Sequence, residues 1–320
     1  MKNDFVFDEL VKLHYQKAYN QEASRIADNS VSSSEISDVF ANYLSSLIND
    51  DSDFYKAMIG EELNNATFFH NHLDNIYHFA FQQFRAYINL SLITSNDYFL
   101  QDIPIVESNK EKITLIKILH GLAIRIAREV LCLLENGFPH GAVARWRSIY
   151  ETWIIIEYIS LHDNAMAIKF INQKKSANNY SWAKSNKFKP NANGNYTFEL
   201  LQKYIHEELD KNSSIKSTEG FLYSDWKNEY KLSNKILHID SMGIFGYWDT
   251  LHKNQNNQLY TNASDAGFLK PASNTLACLY NINRVALSSL KTENDIFALF
   301  LLRKLCDKAV ESFEKVNSQS

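Results

Sequence analysis

Arg147 and Glu151 form the first pair of residues whose types and spacing could carry chemistry. They are four positions apart, so on an α-helix both side chains lie on one face and can form an ion pair. The segment around them is apolar on nearly every side, which makes an unpaired charge there costly. Two interpretations are open. The pair fixes the register of a buried helix, or it belongs to a polar site in a helical bundle, lined by Arg145, Arg147 and Glu151.

A second candidate group comprises Tyr230, Asn234 and His238, which follow one another at intervals of four residues. On a helix these side chains stack along one edge, with Ser233 beside them. The ordinary pKa of histidine lies near neutrality, so His238 is suited to act as a general acid or base. The alternative is a structural histidine that is hydrogen-bonded near the end of its helix.

His70, Asp74 and His78 form a third group, again at intervals of four residues. Three consecutive turns span about 12 Å of helix axis, which is too far for one metal ion. We therefore expect a solvated helical edge, no metal site and no cofactor. The chain also lacks the Cys-x2-Cys, His-Glu-x2-His, Walker and Gly-x-Ser-x-Gly motifs, which argues against the enzyme classes that these motifs mark.

The composition of the chain favours helices, because 320 residues include only 9 glycines and 4 prolines. A net charge of -4 argues against a protein that coats duplex nucleic acid. Each of the three cysteines, Cys132, Cys278 and Cys306, falls in an apolar helical pattern, so we expect buried thiols in a reducing compartment. We expect no signal peptide, no membrane segment and a cytoplasmic location.

Hydrophobic periodicity predicts an all-α fold, an irregular bundle of roughly nine or ten helices without a strand. The clearest helices are expected over residues 61–92, 113–135, 140–162, 196–209, 224–238, 273–290 and 294–316. Two long polar loops are expected over 174–196 and 254–271. We expect a helical N-terminal region over 1–108 and a central bundle over 109–320 that carries the polar site.

Two motifs in this chain resemble a bacterial all-helical family that is catalogued only as a domain of unknown function. The first is a small-residue turn over residues 135–142, followed by a helix with an Ala-x2-Arg-x3-Glu motif whose last residue is Glu151. The second is a Tyr-x2-Ser-x4-His helix over residues 230–238. The resemblance covers about residues 110–240.

The second motif is also loosely similar to the ribonuclease motif of HEPN (higher eukaryotes and prokaryotes nucleotide-binding) proteins. That motif is an arginine, a polar residue, three variable residues and a histidine. Asn234 and His238 match its last two fixed positions, whereas Ser233 stands where the motif has arginine. Arg147 or Arg145 would have to supply this charge from a neighbouring helix.

The resemblance implies a metal-independent RNase-type effector of a bacterial defence or toxin system. His238 would be the general acid or base, Arg147 and Arg145 would stabilise phosphate charge, Glu151 would orient an arginine, and Asn234 would orient His238. Substrate-binding roles would fall to three residues, Arg145, Tyr230 and Ser233. The implied partners are RNA or a nucleotide, a second copy of the chain in a homodimer, and a partner protein. The alternatives are a non-catalytic helical sensor or scaffold and a small-ligand or nucleotide-binding module.

Overall fold

A computed structural model of the chain describes residues 53–100, 107–173, 180–211, 223–237, 267–288 and 293–319, besides Asn42 and Ser45. Eight α-helices lie in these ranges: α1 (Asp53–Leu100), α2 (Lys110–Glu135), α3 (Pro139–Ser160), α4 (Asn164–Asn172), α5 (Phe198–Lys211), α6 (Tyr223–Leu237), α7 (Leu269–Ser288) and α8 (Glu293–Gln319). Short 3-10 helices lie at Glu107–Asn109 and Ser181–Ala183. The all-α prediction is confirmed. The helix count over these ranges is slightly below the predicted nine or ten, and no strand occurs in them.

The chain divides into two compact units, Met1–His72 and Leu73–Ser320. The boundary between the units falls within α1, and helices α2 to α8 all belong to the second unit. The division that the sequence suggests, between residues 108 and 109, stays a prediction.

Helix α3 is the centre of the second unit, where it packs against α2, α5, α6 and α7. Ile155 is half-buried, whereas six of its other large apolar side chains are at most 1% exposed: Trp146, Ile149, Trp153, Ile154, Ile156 and Ile159. A helix that is apolar on nearly every side must bury nearly every side, so the predicted buried helix is confirmed. The same burial leaves few directions in which its charged side chains can extend.

The turn between α2 and α3 fixes the start of this central helix. Gly137 has φ 77°, the left-handed conformation that glycine adopts without strain, and its N–H donates to the carbonyl of Leu134 at 2.9 Å. Pro139 then occupies the first turn of α3, where a missing N–H breaks no helical hydrogen bond. The helix stop and restart that the sequence predicts at these residues are confirmed.

The first predicted polar loop is partly buried, which corrects the expectation of an exposed segment. Trp182, Ala183 and Phe188 are at most 6% exposed, and the Tyr158 hydroxyl of α3 donates to the carbonyl of Ala183. Its aromatic residues supply the apolar area that anchors a segment rich in asparagine and lysine. Most of the second predicted loop lies outside the described residues, although its end, at Leu269–Pro271, forms the first turn of α7.

One of the three cysteines differs from the prediction of buried thiols. Cys278 and Cys306 are buried, whereas Cys132 is exposed, and all three are free. Cys132 follows the buried Leu131 by one residue, and a step of about 100° along the helix turns its side chain towards solvent. Burial raises the pKa of the Cys306 thiol to about 12. Across the part of the chain that the structure describes, no helix is long and apolar enough to cross a membrane.

Candidate functional site

Arg147 and Glu151 lie on the face of α3 that meets α6, where they form a three-residue cluster with Tyr230. Arg147 Nε donates to Glu151 Oε1 at 2.9 Å and to the Tyr230 hydroxyl at 3.2 Å. The Tyr230 hydroxyl in turn donates to Glu151 Oε1 at 2.7 Å. The guanidinium carbon of Arg147 lies 5.0 Å from the centroid of the Tyr230 ring, a cation–π contact. The predicted ion pair is confirmed, and Tyr230 of α6 completes it.

This cluster is half-buried rather than sealed. The side chains of Arg147 and Glu151 are 29% and 31% exposed. All hydrogen bonds of the guanidinium to residues within the described ranges use Nε, so its two terminal nitrogens have no such partner there. Glu151 and Tyr230 therefore fix the orientation of Arg147 while its fork of N–H donors remains available to a ligand.

Aromatic rings surround the cluster on the side of α5 and the preceding loop. The Phe198 ring lies 5.1 Å from the ring of Tyr230 and 5.7 Å from the ring of Tyr180, between centroids. Burial, then the negative charge of Glu151, raises the pKa of Tyr180 to about 12. Burial and the hydrogen bond to Glu151 raise the pKa of Tyr230 above its usual range as well. Both phenols are therefore protonated at neutral pH, and the Tyr230 hydroxyl donates to Glu151.

The next turn of α6 carries Ser233 and Asn234. Ser233 is fully buried, and its hydroxyl donates to the carbonyl of Tyr230 at 2.7 Å. The side-chain oxygen of Asn234 is buried and has no hydrogen-bond partner in the described part of the chain. The described part of α6 extends to Leu237. His238 lies outside the described residues, and its predicted role stays a prediction.

Arg145 does not join Arg147. Its guanidinium forms an ion pair with Glu129 of α2, and its side chain is 40% exposed. Two helical residues that are two positions apart point about 200° away from each other, so one face cannot carry both arginines. The structure thus brings together Arg147, Glu151 and Tyr230, with Asn234 one turn further along α6.

Residues 114–264 match the model of a family of unknown function (DUF5677). No curated protein and no solved structure matches the chain. The matched segment includes α3 and α6, and so it contains the whole Arg147–Glu151–Tyr230 cluster.

A pocket of about 180 Å³ lies on the neighbouring side of α6, between the starts of α3 and α7. Its lining adjoins the cluster along the chain, because it includes Trp146, next to Arg147, and Ser233, next to Asn234. Asn274 and other lining residues of α7 lie beyond the matched segment. Sequence reasoning missed this pocket because its walls come from three distant segments, none of which carries a motif of its own.

Two residues of the third group identified in the sequence, Asp74 and His78, form a local hydrogen-bonded chain with Gln82 along α1. His78 Nδ1 and Asp74 Oδ1 are 2.8 Å apart, and His78 Nε2 is 2.8 Å from Gln82 Nε2. His70, Asp74 and His78 are all exposed. Among the residues that the structure describes, no three His, Cys, Asp or Glu side chains are placed to hold a metal ion. The absence of a metal site in the whole chain stays a prediction.

Proposed function

We propose that this chain is a HEPN-like, metal-independent ribonuclease-type effector, and that Arg147 binds the phosphate at which RNA is cleaved. The observation that carries the proposal is the arrangement of the Arg147 guanidinium. Glu151 and Tyr230 hold it through Nε, and its terminal nitrogens make no hydrogen bond within the described ranges. A fixed arginine fork matches two phosphate oxygens and stabilises the charge that develops on them.

His238 supplies the acid–base chemistry in this proposal. It follows Asn234 by four residues, so an extension of α6 by one turn would put both side chains on one edge. The unpartnered Asn234 oxygen would accept a hydrogen bond from the imidazole and orient it. The imidazole would take the proton of the ribose 2′-hydroxyl, and the 2′-oxygen would attack the phosphorus to form a 2′,3′-cyclic phosphate. As the bond to the 5′-oxygen breaks, the imidazolium would return the proton to that oxygen.

In the HEPN motif, the arginine and the histidine lie on the same helix. In this chain, Arg147 of the cluster would supply that positive charge from α3. Ser233 stands where that motif has arginine, and its hydroxyl is bonded to the α6 backbone. Arg147 approaches the same helix from α3 through its contacts with Tyr230. Arg145 is left out of the phosphate site because Glu129 holds it at α2.

The resemblance extends the proposal to the cellular setting. The chain would act as a homodimer in the cytoplasm of a bacterium, within a defence or toxin system, and a partner protein would control it. Growth arrest on expression, with degradation of total RNA, would support this setting. Unaffected growth and intact RNA at high expression would contradict it.

A second candidate function is a non-catalytic scaffold, which the closed set of hydrogen bonds within the cluster favours. Glu151 Oε1 accepts from both Arg147 and Tyr230, so the three residues tie α3 to α6 without a ligand. A network of this kind can specify helix packing alone. The two candidates differ in what they predict for His238.

The test is cleavage of labelled RNA by the purified protein in the presence of EDTA, together with thermal melting of each variant. We expect His238→Ala to slow cleavage by about 10²–10⁴-fold, the usual contribution of a catalytic acid or base. Its melting temperature should change little. The matched control is His78→Ala, an exposed histidine on α1, which should cleave like the wild type.

Two results would contradict the proposal. A wild-type protein that cleaves none of several RNAs, with a His238→Ala variant that melts much earlier, would make this histidine structural and favour the scaffold. Cleavage that EDTA abolishes would show that a metal ion takes part.

A further inference from the structure

The pocket of about 180 Å³ beside the cluster has mainly apolar walls. They come from Trp146 and Val143 of α3, Leu232 of α6 and Pro271 of α7. Trp146 is 1% exposed, so it is fixed by the core rather than free to close the pocket. Apolar walls with a few polar groups are typical of a small-molecule site.

Asn274 is the polar group of this pocket that the fold leaves unused. It is only 3% exposed, and its side chain has no hydrogen-bond partner among the described residues. A carboxamide in the wall of an apolar pocket, with no hydrogen bond at its donor or its acceptor among the described residues, can recognise a ligand that offers the complementary pair.

Among the described lining residues, the two charged side chains neutralise each other. Glu229 and Lys270 pair with each other, and burial lowers the pKa of His140, which favours the neutral imidazole at neutral pH. The hydroxyl of Ser233 is already bonded to the carbonyl of Tyr230. A charged ligand would therefore lose its hydration without gaining a counter-charge, so the lining favours an uncharged ligand.

The size of the pocket limits the ligand to one ring system. An apolar cavity of about 150 Å³ holds benzene, whereas sites for drug-sized molecules measure about 300–1,000 Å³. We propose that this pocket binds a planar, uncharged nitrogen heterocycle of nucleobase size, and that Asn274 recognises its donor–acceptor edge. Asparagine pairs in this way with the N6 and N7 positions of adenine, so adenine is the first probe. This inference stands without the proposed ribonuclease activity, because base binding needs neither Arg147 nor His238.

The test is titration of the full chain with free adenine, cytosine, uracil and indole, followed by ligand-observed NMR and calorimetry. We expect saturable binding of at least one base, weakened at least tenfold by Asn274→Leu, which keeps the branched shape of the side chain but removes both polar groups. The matched control is Thr275→Val, a fully buried neighbour outside the pocket lining whose hydroxyl also has no partner in the described ranges. It should bind the base like the wild type.

A blocking variant tests the pocket itself if Asn274→Leu fails to fold. Val143 is a half-buried lining residue, so Val143→Phe would place a ring in the pocket without removing a polar group. We expect it to abolish base binding. Absence of binding for every base, equal binding by the Val143→Phe variant, or binding of indole as tight as that of the best base would overturn the proposal.

Discussion

Two arginines of this chain have nearly the same local surroundings. In each case Nε donates to a carboxylate four residues later, the side chain is 29% exposed, and the guanidinium lies about 5 Å from a tyrosine ring. The two clusters are Arg147 with Glu151 and Tyr230, and Arg303 with Asp307 and Tyr280. An i,i+4 ion pair beside an aromatic ring is therefore not by itself a sign of function in this protein.

The difference between the clusters lies in what adjoins them. The Tyr230 hydroxyl bonds to both members of the first pair, and Asn234 follows one turn later on the same helix. In the second cluster, Asp307 accepts from Arg303 with both of its oxygens, at 2.8 and 3.1 Å, which is a self-contained pair. The comparison teaches that a hydrogen bond from a second helix, rather than exposure or a cation–π contact, distinguishes the first cluster from the second.

A third ion pair, Glu157 with Arg284, is more buried than the other two. The side chains are 3% and 17% exposed, the Arg284 Nη2 to Glu157 Oε2 distance is 2.6 Å, and the indole of Trp153 donates to the same carboxylate. We expect Glu157→Ala to lower the free energy of unfolding by about 3–5 kcal/mol, because it leaves the arginine charge buried and unpaired. Chemical denaturation measures this loss.

The control for this prediction is the double variant Glu157→Leu with Arg284→Met, which removes both charges and keeps similar volumes. It should recover most of the lost stability, since an apolar pair replaces a buried ion pair at little cost. A single variant as stable as the wild type would show that this pair is no more structural than the exposed ones.

The buried His206 should make the stability of the fold depend on pH. Burial lowers its pKa to about 4, and its Nε2 lies 3.1 Å from the Tyr150 hydroxyl. The unfolded chain takes up a proton below pH about 6.5, whereas the folded chain does so only near pH 4. Stability should therefore fall by about 3 kcal/mol between these pH values.

Urea denaturation at several pH values checks this expectation. The slope of stability against pH should flatten in His206→Gln relative to the wild type. An identical slope in the variant and the wild type would contradict the assignment of acid sensitivity to His206.

The Arg147 and Arg303 clusters should also differ slightly in stability. We expect Glu151→Ala to cost about 1 kcal/mol, because it breaks a half-exposed ion pair and the hydrogen bond to Tyr230. Asp307→Ala should cost about 0.5 kcal/mol or less, since exposed i,i+4 pairs contribute little. Denaturant midpoints of the two variants measure the difference. A larger loss in Asp307→Ala would show that the link to α6 does not stabilise the first cluster.

Local sequence signals predict most of the fold. The apolar periodicity of α2, its stop at Asn136 and Gly137 and the nearly all-apolar α3 each follow from residues within one or two turns. The same logic predicts that Arg147 pairs with Glu151. These features depend on neighbours in the sequence, which is why they can be recognised without the structure.

What the sequence does not predict are contacts between helices. The bridge from Tyr230 to Arg147 joins residues 83 positions apart, and the ion pair of Arg284 with Glu157 joins residues 127 apart. Periodicity gives the face of a helix but not the helix that it meets. The exposure of Cys132 and the separation of Arg145 from Arg147 could have been predicted, because helical angles alone determine both.

The most direct test of the phosphate role is binding of a 2′-O-methyl oligonucleotide, whose blocked 2′-hydroxyl prevents cleavage, to three variants. Fluorescence anisotropy at several salt concentrations would compare Arg147→Ala, Arg147→Lys and Arg303→Ala with the wild type. We predict that Arg147→Ala binds at least tenfold more weakly and that its salt slope falls by about 0.7, the loss of one phosphate contact on a single strand. Arg147→Lys should lie between, because lysine keeps the charge but not the fork, and Arg303→Ala should match the wild type. Equal effects of Arg147→Ala and Arg303→Ala, or none from either, would contradict the assignment of Arg147 to phosphate binding.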